Sequence, residues 1–253
     1  MSGRVRVVGL GPGDPRFLTP EAEEALAAAS DLVGYGPYVD RLPHRPGQVR
    51  HASDNRQERG RAEHALALAA EGRRVALVSG GDPGVFAMAA ALCEALEEGP
   101  ATWRALDVAI FPGVTAMLAA AASVGAPLGH DFCAISLSDN LKPWDIVARR
   151  LDAAAGADFV LALYNPVSGS RPRQIADAFA ILRRHRDPDT PVVFARAVGR
   201  ADERVAVTSL GEADPTAADM STLVIVGSSR TRRFAMADGR AMVYTPRFWR
   251  DMA

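Results

Sequence analysis

The residues most suited to chemistry lie in the sequence VALVSGGDPGVFAMAA, positions 75–90. Gly80, Gly81 and Gly84 let backbone approach a ligand closely, and Pro83 stiffens the turn. Asp82 reads in two ways: it caps the following helix, or it accepts hydrogen bonds from a ligand hydroxyl or amine. The apolar run at 75–78 reads as a buried strand, and a helical pattern follows from Val85. Ligands in open α/β sheets bind beyond the carboxyl ends of the strands, so this turn marks a candidate site. A tight connection with no ligand has the same composition, so the meaning of the turn depends on others that meet it.

Three more turns follow strand-like runs. GLGPGD at 9–14 resembles a dinucleotide fingerprint, but its spacing is G-x-G-x-G and Pro12 removes a backbone donor. Its helix starts late, at Thr19-Pro20-Glu21, with a cap, a first-turn proline and acids against the dipole. That spacing disfavours a nicotinamide-dependent oxidoreductase. PGVTA at 112–116 feeds a helix at 117–124, with Thr115 placed to cap it. Tyr164-Asn165-Pro166 closes a buried run at 158–164.

The elements that must position these turns alternate strand and helix along the chain, which predicts two α/β units of similar size. Strands are expected at 4–10, 31–34, 75–78, 108–111, 132–137, 158–164, 191–197, 204–208 and 223–226. Helices are expected at 60–72, 87–98, 117–124, 144–154 and 174–185. Residues 35–38 read as an aromatic loop and 42–58 as a long irregular one, which in a compact domain is usually functional. The Gly and Pro cluster at 125–129 suggests a boundary, giving domains 1–126 and 127–253.

With 253 residues, 48% of them apolar, the chain can build a full core, and a net charge of −1 gives no footprint for nucleic acid or an anionic membrane. Lys142 is the only lysine among 29 basic residues, and Arg suits a polycarboxylate ligand as well as reflecting composition bias. Two cysteines forty positions apart, with no CxxC, argue for a reducing compartment and against structural zinc. No apolar run spans a bilayer, and the strand pattern begins too early for a signal peptide, so a cytoplasmic protein is expected.

The turns at 9–14, 79–86, 112–116 and 163–166, with Val198-Gly199 as a fifth element, together resemble the tetrapyrrole (corrin/porphyrin) methyltransferases that use S-adenosylmethionine. Within that family, Gly34-Tyr35-Gly36-Pro37-Tyr38, HDFCAISLSD at 130–139, Pro143-Trp144 and the late VGSS with Thr231-Arg232-Arg233 are similar to the branch of cobalamin synthesis acting at C17 of precorrin-3B. Tyr244-Thr245-Pro246-Arg247-Phe248-Trp249 departs from that branch's usual ending.

The resemblance implies the class III methyltransferase fold: two α/β domains facing across a trough, a homodimer, no metal requirement, and S-adenosylmethionine folded between the domains. Carried over position by position, the cofactor contacts are Pro12, Gly80, Gly81, Asp82, Val85, Thr115, Ala116, Tyr164, Asn165, Val198 and Gly199. The implied reaction is C17 methylation of precorrin-3B with ring contraction to precorrin-4, which uses a base at a substrate hydroxyl and a donor at a departing lactone oxygen. Candidates are Asp14, His51, Asn55, Asp139 and Asn165. Each has a structural alternative: Asp14 holds the first turn, Asp139 caps, Asn165 orders the Pro166 turn, and His51 faces solvent. Arg56, Arg171 or 230–233 are candidates for substrate carboxylates, although a basic run is also an ordinary solvated face. A sister methyltransferase acting at another carbon, the diphthine synthase branch and a non-catalytic nucleotide-binding module remain open alternatives.

Overall fold

The computed structural model describes residues 3–248. The chain divides into two compact units, Met1–Thr115 and Ala116–Ala253, one helix upstream of the Gly and Pro cluster at 125–129.

The first unit runs β1 (Arg4–Gly9), α1 (Pro20–Ala28), β2 (Asp31–Tyr35), α2 (Gly36–Val39), β3 (Val49–Ser53), α3 (Glu58–Ala70), β4 (Arg74–Ser79), α4 (Met88–Glu98) and β5 (Asp107–Phe111). Its five strands lie in the order β3-β2-β4-β1-β5 and are all parallel. Every carboxyl end therefore opens on one edge. Val5, Val7, Val33 and Leu77 pack one face of the sheet against α3 and α4, while Val8, Leu32 and Val78 pack the other against α1 and α2. Burial on both faces explains why β2 and β4 read as apolar runs, LVG at 32–34 and VALV at 75–78. α1 begins as expected: Thr19 Oγ1 accepts from Ala22 N at 3.2 Å, ahead of Pro20 and Glu21.

Three expectations are corrected. The irregular loop expected at 42–58 contains strand β3, and the aromatic loop at 35–38 includes helix α2. β3 is an edge strand with no fully buried residue, so it lacks a readable apolar pattern. It is anchored by Arg50, which donates to the carbonyls of Val39, Leu42 and Pro43. The helix expected from Val85 starts at Met88, because Phe86 takes a left-handed φ of 52° that no helix accommodates.

The second unit runs α5 (Ala116–Val124), β6 (Gly125–Ala126), β7 (Phe132–Ser136), α6 (Trp144–Gly156), β8 (Val160–Tyr164), α7 (Gln174–Leu182), β9 (Pro191–Arg196), β10 (Arg204–Ser209), β11 (Thr222–Val226), β12 (Arg232–Ala235) and β13 (Ala241–Tyr244). A mixed sheet, β10-β9-β11-β8-β7, is antiparallel except for β7 and β8. Leu137, Leu151, Leu161, Leu163 and Phe179 form the core between this sheet and helices α6 and α7. A second small sheet, β12-β13-β6, was not legible in the sequence, since β12 is exposed along its whole length.

The basic run at 228–233 is solvated only in part. Arg232 and Arg233 are exposed, but Thr231 is buried and its Oγ1 lies 2.8 Å from Thr245 Oγ1, which donates to Pro127 O at 2.6 Å. Trp249 lies outside the described residues.

Candidate functional site

In the first unit, the turns after β1, β4 and β5 meet at the carboxyl edge of the parallel sheet. Gly11 and Gly81 exchange backbone hydrogen bonds of 3.2 and 2.8 Å, and Leu10 N donates to Ser79 O at 2.9 Å. A Cβ on Gly9 would stand 2.7 Å from Gly113 N and 2.8 Å from Gly81 O, and one on Gly113 would overlap Gly81 O. Only glycine permits three backbones this close.

Asp82 does not cap α4, whose N-cap is Ala87. Its carboxylate instead accepts from Gly84 N at 2.8 Å and from Gly113 N at 3.0 Å, which ties the second turn to the third. Pro12 and Thr115 are buried beside these turns in the chain, and Val85 is half-buried. Gly80 presses against Tyr38, because a Cβ there would be 2.7 Å from the ring.

In the second unit, Tyr164 ends β8 and its hydroxyl accepts from Met117 N at 3.1 Å, in the first turn of α5 beside Ala116. Asn165 has a left-handed φ of 51° and donates from Nδ2 to Ser136 Oγ at 2.9 Å. Val198 is buried, and Gly199, at φ 75°, donates its N–H to Glu203 Oε2 at 2.7 Å.

The acid–base candidates fall in separate places. Asp14 caps its own turn, accepting from Arg16 N at 2.8 Å and pairing with the Arg16 guanidinium at 2.9 Å, which holds its carboxyl below the usual range. Asn55 Oδ1 lies 3.0 Å from Arg56 N. His51 sits on β3 with Nε2 3.0 Å from Asp31 Oδ1 and Nδ1 3.1 Å from His64 Nε2. Asp139 and Asn165 come together through buried Arg171: Nη1 donates to Asn165 O at 3.3 Å, and Nε is 3.8 Å from Asp139 Oδ1. Asp139 Oδ2 also accepts from Gln174 Nε2 at 3.0 Å. Arg171 is thus an internal tie, and not an arm reaching outward. Lys142, whose Nζ donates to Ser138 O at 3.3 Å, has its pKa lowered by burial and by Arg150.

Three residues escaped the sequence reading: Asp31, Arg61 and His64. Burial alone would raise the Asp31 carboxyl, but hydrogen bonds from Arg73, Ser30 and His51 outweigh it and hold the pKa at about 2. Arg61 is buried on the stripe of α3 that carries Ala62, Ala65, Leu66 and Ala69. An arginine on an apolar stripe was the available signal. A cavity of about 550 Å³ is lined by Val33, His51, Ser53, Gln57, Arg61 and His64 among others. A smaller one of about 250 Å³, lined by Arg4, Arg6, Arg74 and Glu21 among others, includes the amino ends of β1 and β4.

Among the described residues, no group of three or more His, Cys, Asp or Glu is placed to hold a metal ion, and no helix is long and apolar enough to cross a membrane.

Comparison with known proteins adds to this geometry. The family model for tetrapyrrole (corrin/porphyrin) methylases matches residues 4–214. A Sinorhizobium precorrin-3B C(17)-methyltransferase is 60% identical over 250 residues, spanning 98% of both chains. Among solved structures, the methyltransferase CobJ superposes with a TM-score of 0.92 at 55% identity, covering 97% of this chain and 100% of that one. A Thermus thermophilus uroporphyrin-III C-methyltransferase complexed with S-adenosylhomocysteine superposes with a TM-score of 0.66 at 25% identity, covering 89% and 97%.

Proposed function

The chain belongs to the tetrapyrrole (corrin/porphyrin) methylase family, and from that footing we propose that it methylates C17 of precorrin-3B with ring contraction to precorrin-4 in cobalamin synthesis, S-adenosylmethionine being the methyl donor. The observation that carries the reading is the fused set of glycine turns at the carboxyl edge of the parallel sheet, in a chain so similar to a C17-methyltransferase.

The residues present fit such a cofactor. Gly9, Gly81 and Gly113 leave no Cβ at the edge, half-buried Val85 offers apolar surface, and the Asp82 carboxylate is satisfied by backbone amides. In this reading Pro12, Gly80, Gly81, Asp82, Val85 and Thr115 hold the cofactor, and the same role is proposed for Ala116, Tyr164, Asn165, Val198 and Gly199. When bound, the sulfonium supplies a methyl group that departs by in-line displacement, neutralising the charge on sulfur.

No strong protein acid is needed for that transfer. The turns contribute a fixed, dry alignment, and good alignment is worth roughly 7–11 kcal/mol of barrier. Asp82 does this by locking two turns together. For the contraction step, the pair held by Arg171 suits the need for a base and a donor: the Asp139 carboxylate accepts a substrate hydroxyl proton, and Asn165 has an Nδ2 hydrogen beyond the one given to Ser136. A homodimer and a cytoplasmic location belong to the same proposal, the latter in keeping with two free cysteines.

The test is incubation of the protein with S-adenosylmethionine and enzymatically made precorrin-3B, followed by mass and visible spectrum. A gain of one methyl with the spectrum of a ring-contracted product supports the assignment. Turnover only on an earlier or later macrocycle would move the step to a sister reaction.

A further inference from the structure

Arg61 is 5% exposed, yet among the described residues it forms no ion pair. Its three nitrogens donate to neutral acceptors: Nε to Ser53 Oγ at 2.8 Å, Nη2 to Asp54 O at 2.7 Å, and Nη1 to Met88 Sδ at 3.4 Å. The thioether is the weakest of these acceptors. A buried guanidinium normally has a carboxylate partner, because an uncompensated buried charge is costly. Burial lowers the Arg61 pKa, and Glu58 in the first turn of α3 offsets only part of that.

The charge also has somewhere to act. Arg61 lines the 550 Å³ cavity together with Ser53, Gln57, His51 and exposed His64. His51 Nε2 faces the ionised Asp31, which leaves its Nδ1 to accept from His64 Nε2. Ser53 ends β3 in register with Tyr35, so the Arg61 head stands at the carboxyl edge of the sheet, and Met88 follows the 79–86 turn directly.

We propose that this cavity is a carboxylate-binding subsite, with Arg61 as its main donor and His64 as a second, its Nε2–H turning from His51 Nδ1 to the incoming carboxylate, and that it takes one acidic side arm of the macrocyclic substrate. The incoming carboxylate replaces the Met88 sulfur as the partner of Nη1 and supplies the missing counter-charge. This rests on the tetrapyrrole reading of function.

The test uses uroporphyrin III, a stable tetrapyrrole with eight carboxylates, titrated against the full chain by fluorescence quenching. S-adenosylhomocysteine affinity is measured in parallel by calorimetry. Arg61→Gln is expected to weaken uroporphyrin binding at least about tenfold while cofactor-product affinity stays within about twofold of wild type, and Arg61→Lys recovers part of the loss. Should Arg61→Gln fail to fold, His64→Gln on an exposed side chain is expected to weaken the porphyrin by about threefold, as one rim donor would. Coproporphyrin, with four carboxylates, is expected to respond less to Arg61→Gln than uroporphyrin. Unchanged porphyrin affinity in both Gln variants overturns the subsite, as does an equal loss of both ligands. A wild-type chain that binds neither ligand instead refutes the functional reading from which the subsite follows.

Discussion

Replacing Gly113 by alanine tests the fused turns at their tightest point. The added methyl would overlap Gly81 O and stand 3.0 Å from Gly9 Cα, so at least one of three backbones must move. Overpacking of this kind costs about 1–3 kcal/mol. Displacing Gly113 also weakens its N–H bond to the Asp82 carboxylate, and a hydrogen bond to a charged group is worth about 1.5–3 kcal/mol. Together these come to about 2.5–6 kcal/mol, below most of the 5–15 kcal/mol range of an ordinary domain, so the variant is expected to fold with a displaced turn. A displacement near 1 Å can cost about 10²-fold in rate. Calorimetry with S-adenosylhomocysteine is the assay, read beside a thermal melt. A Gly156→Ala control at the end of α6, where the nearest neighbours are ordinary His185 contacts at 3.7 and 3.8 Å, is expected to bind like wild type. If Gly113→Ala melts lower but binds the cofactor product with unchanged affinity, the turns are structural and the reasoning fails.

Asp82→Asn keeps one acceptor oxygen but turns an NH2 toward either Gly84 N or Gly113 N, so one bond becomes a donor–donor clash. Cofactor-product affinity is expected to drop by about ten- to a hundredfold. Asp31 governs the acid limb of stability. Its folded pKa of about 2 lies below the ordinary aspartate value of 3.8, so its contribution is complete above about pH 4 and is lost as pH falls toward 2. That contribution is about 2 kcal/mol for a nearly two-unit shift. In urea unfolding between pH 2 and 5, Asp31→Asn is expected to flatten the dependence by up to one proton, and an unchanged slope would contradict this.

The buried parallel strands and the order of the turns were legible because burial on both faces writes itself as apolar runs ended by glycine. The edge strand β3 and the exposed strand β12 were not, since neither carries a buried apolar face. The role of Asp82 was half legible: residue type pointed to an acceptor, but its partner Gly113 is remote in sequence and joins it only through the β1-β5 and β1-β4 pairings. Arg171 shows the converse. Its charge suggested a substrate arm, whereas the fold turns it inward onto Leu137 O and Asn165 O. Asp31 opens β2 as an isolated acid before an apolar run, and nothing local announces the Arg73 and His51 that meet it.

The measurement that reaches the central claim most directly is transfer of a carbon-13 methyl from labelled S-adenosylmethionine to precorrin-3B, with the product examined by NMR. One new labelled methyl on C17 of a ring-contracted macrocycle is expected. A label on any other carbon, or on C17 of an uncontracted ring, would contradict the claim.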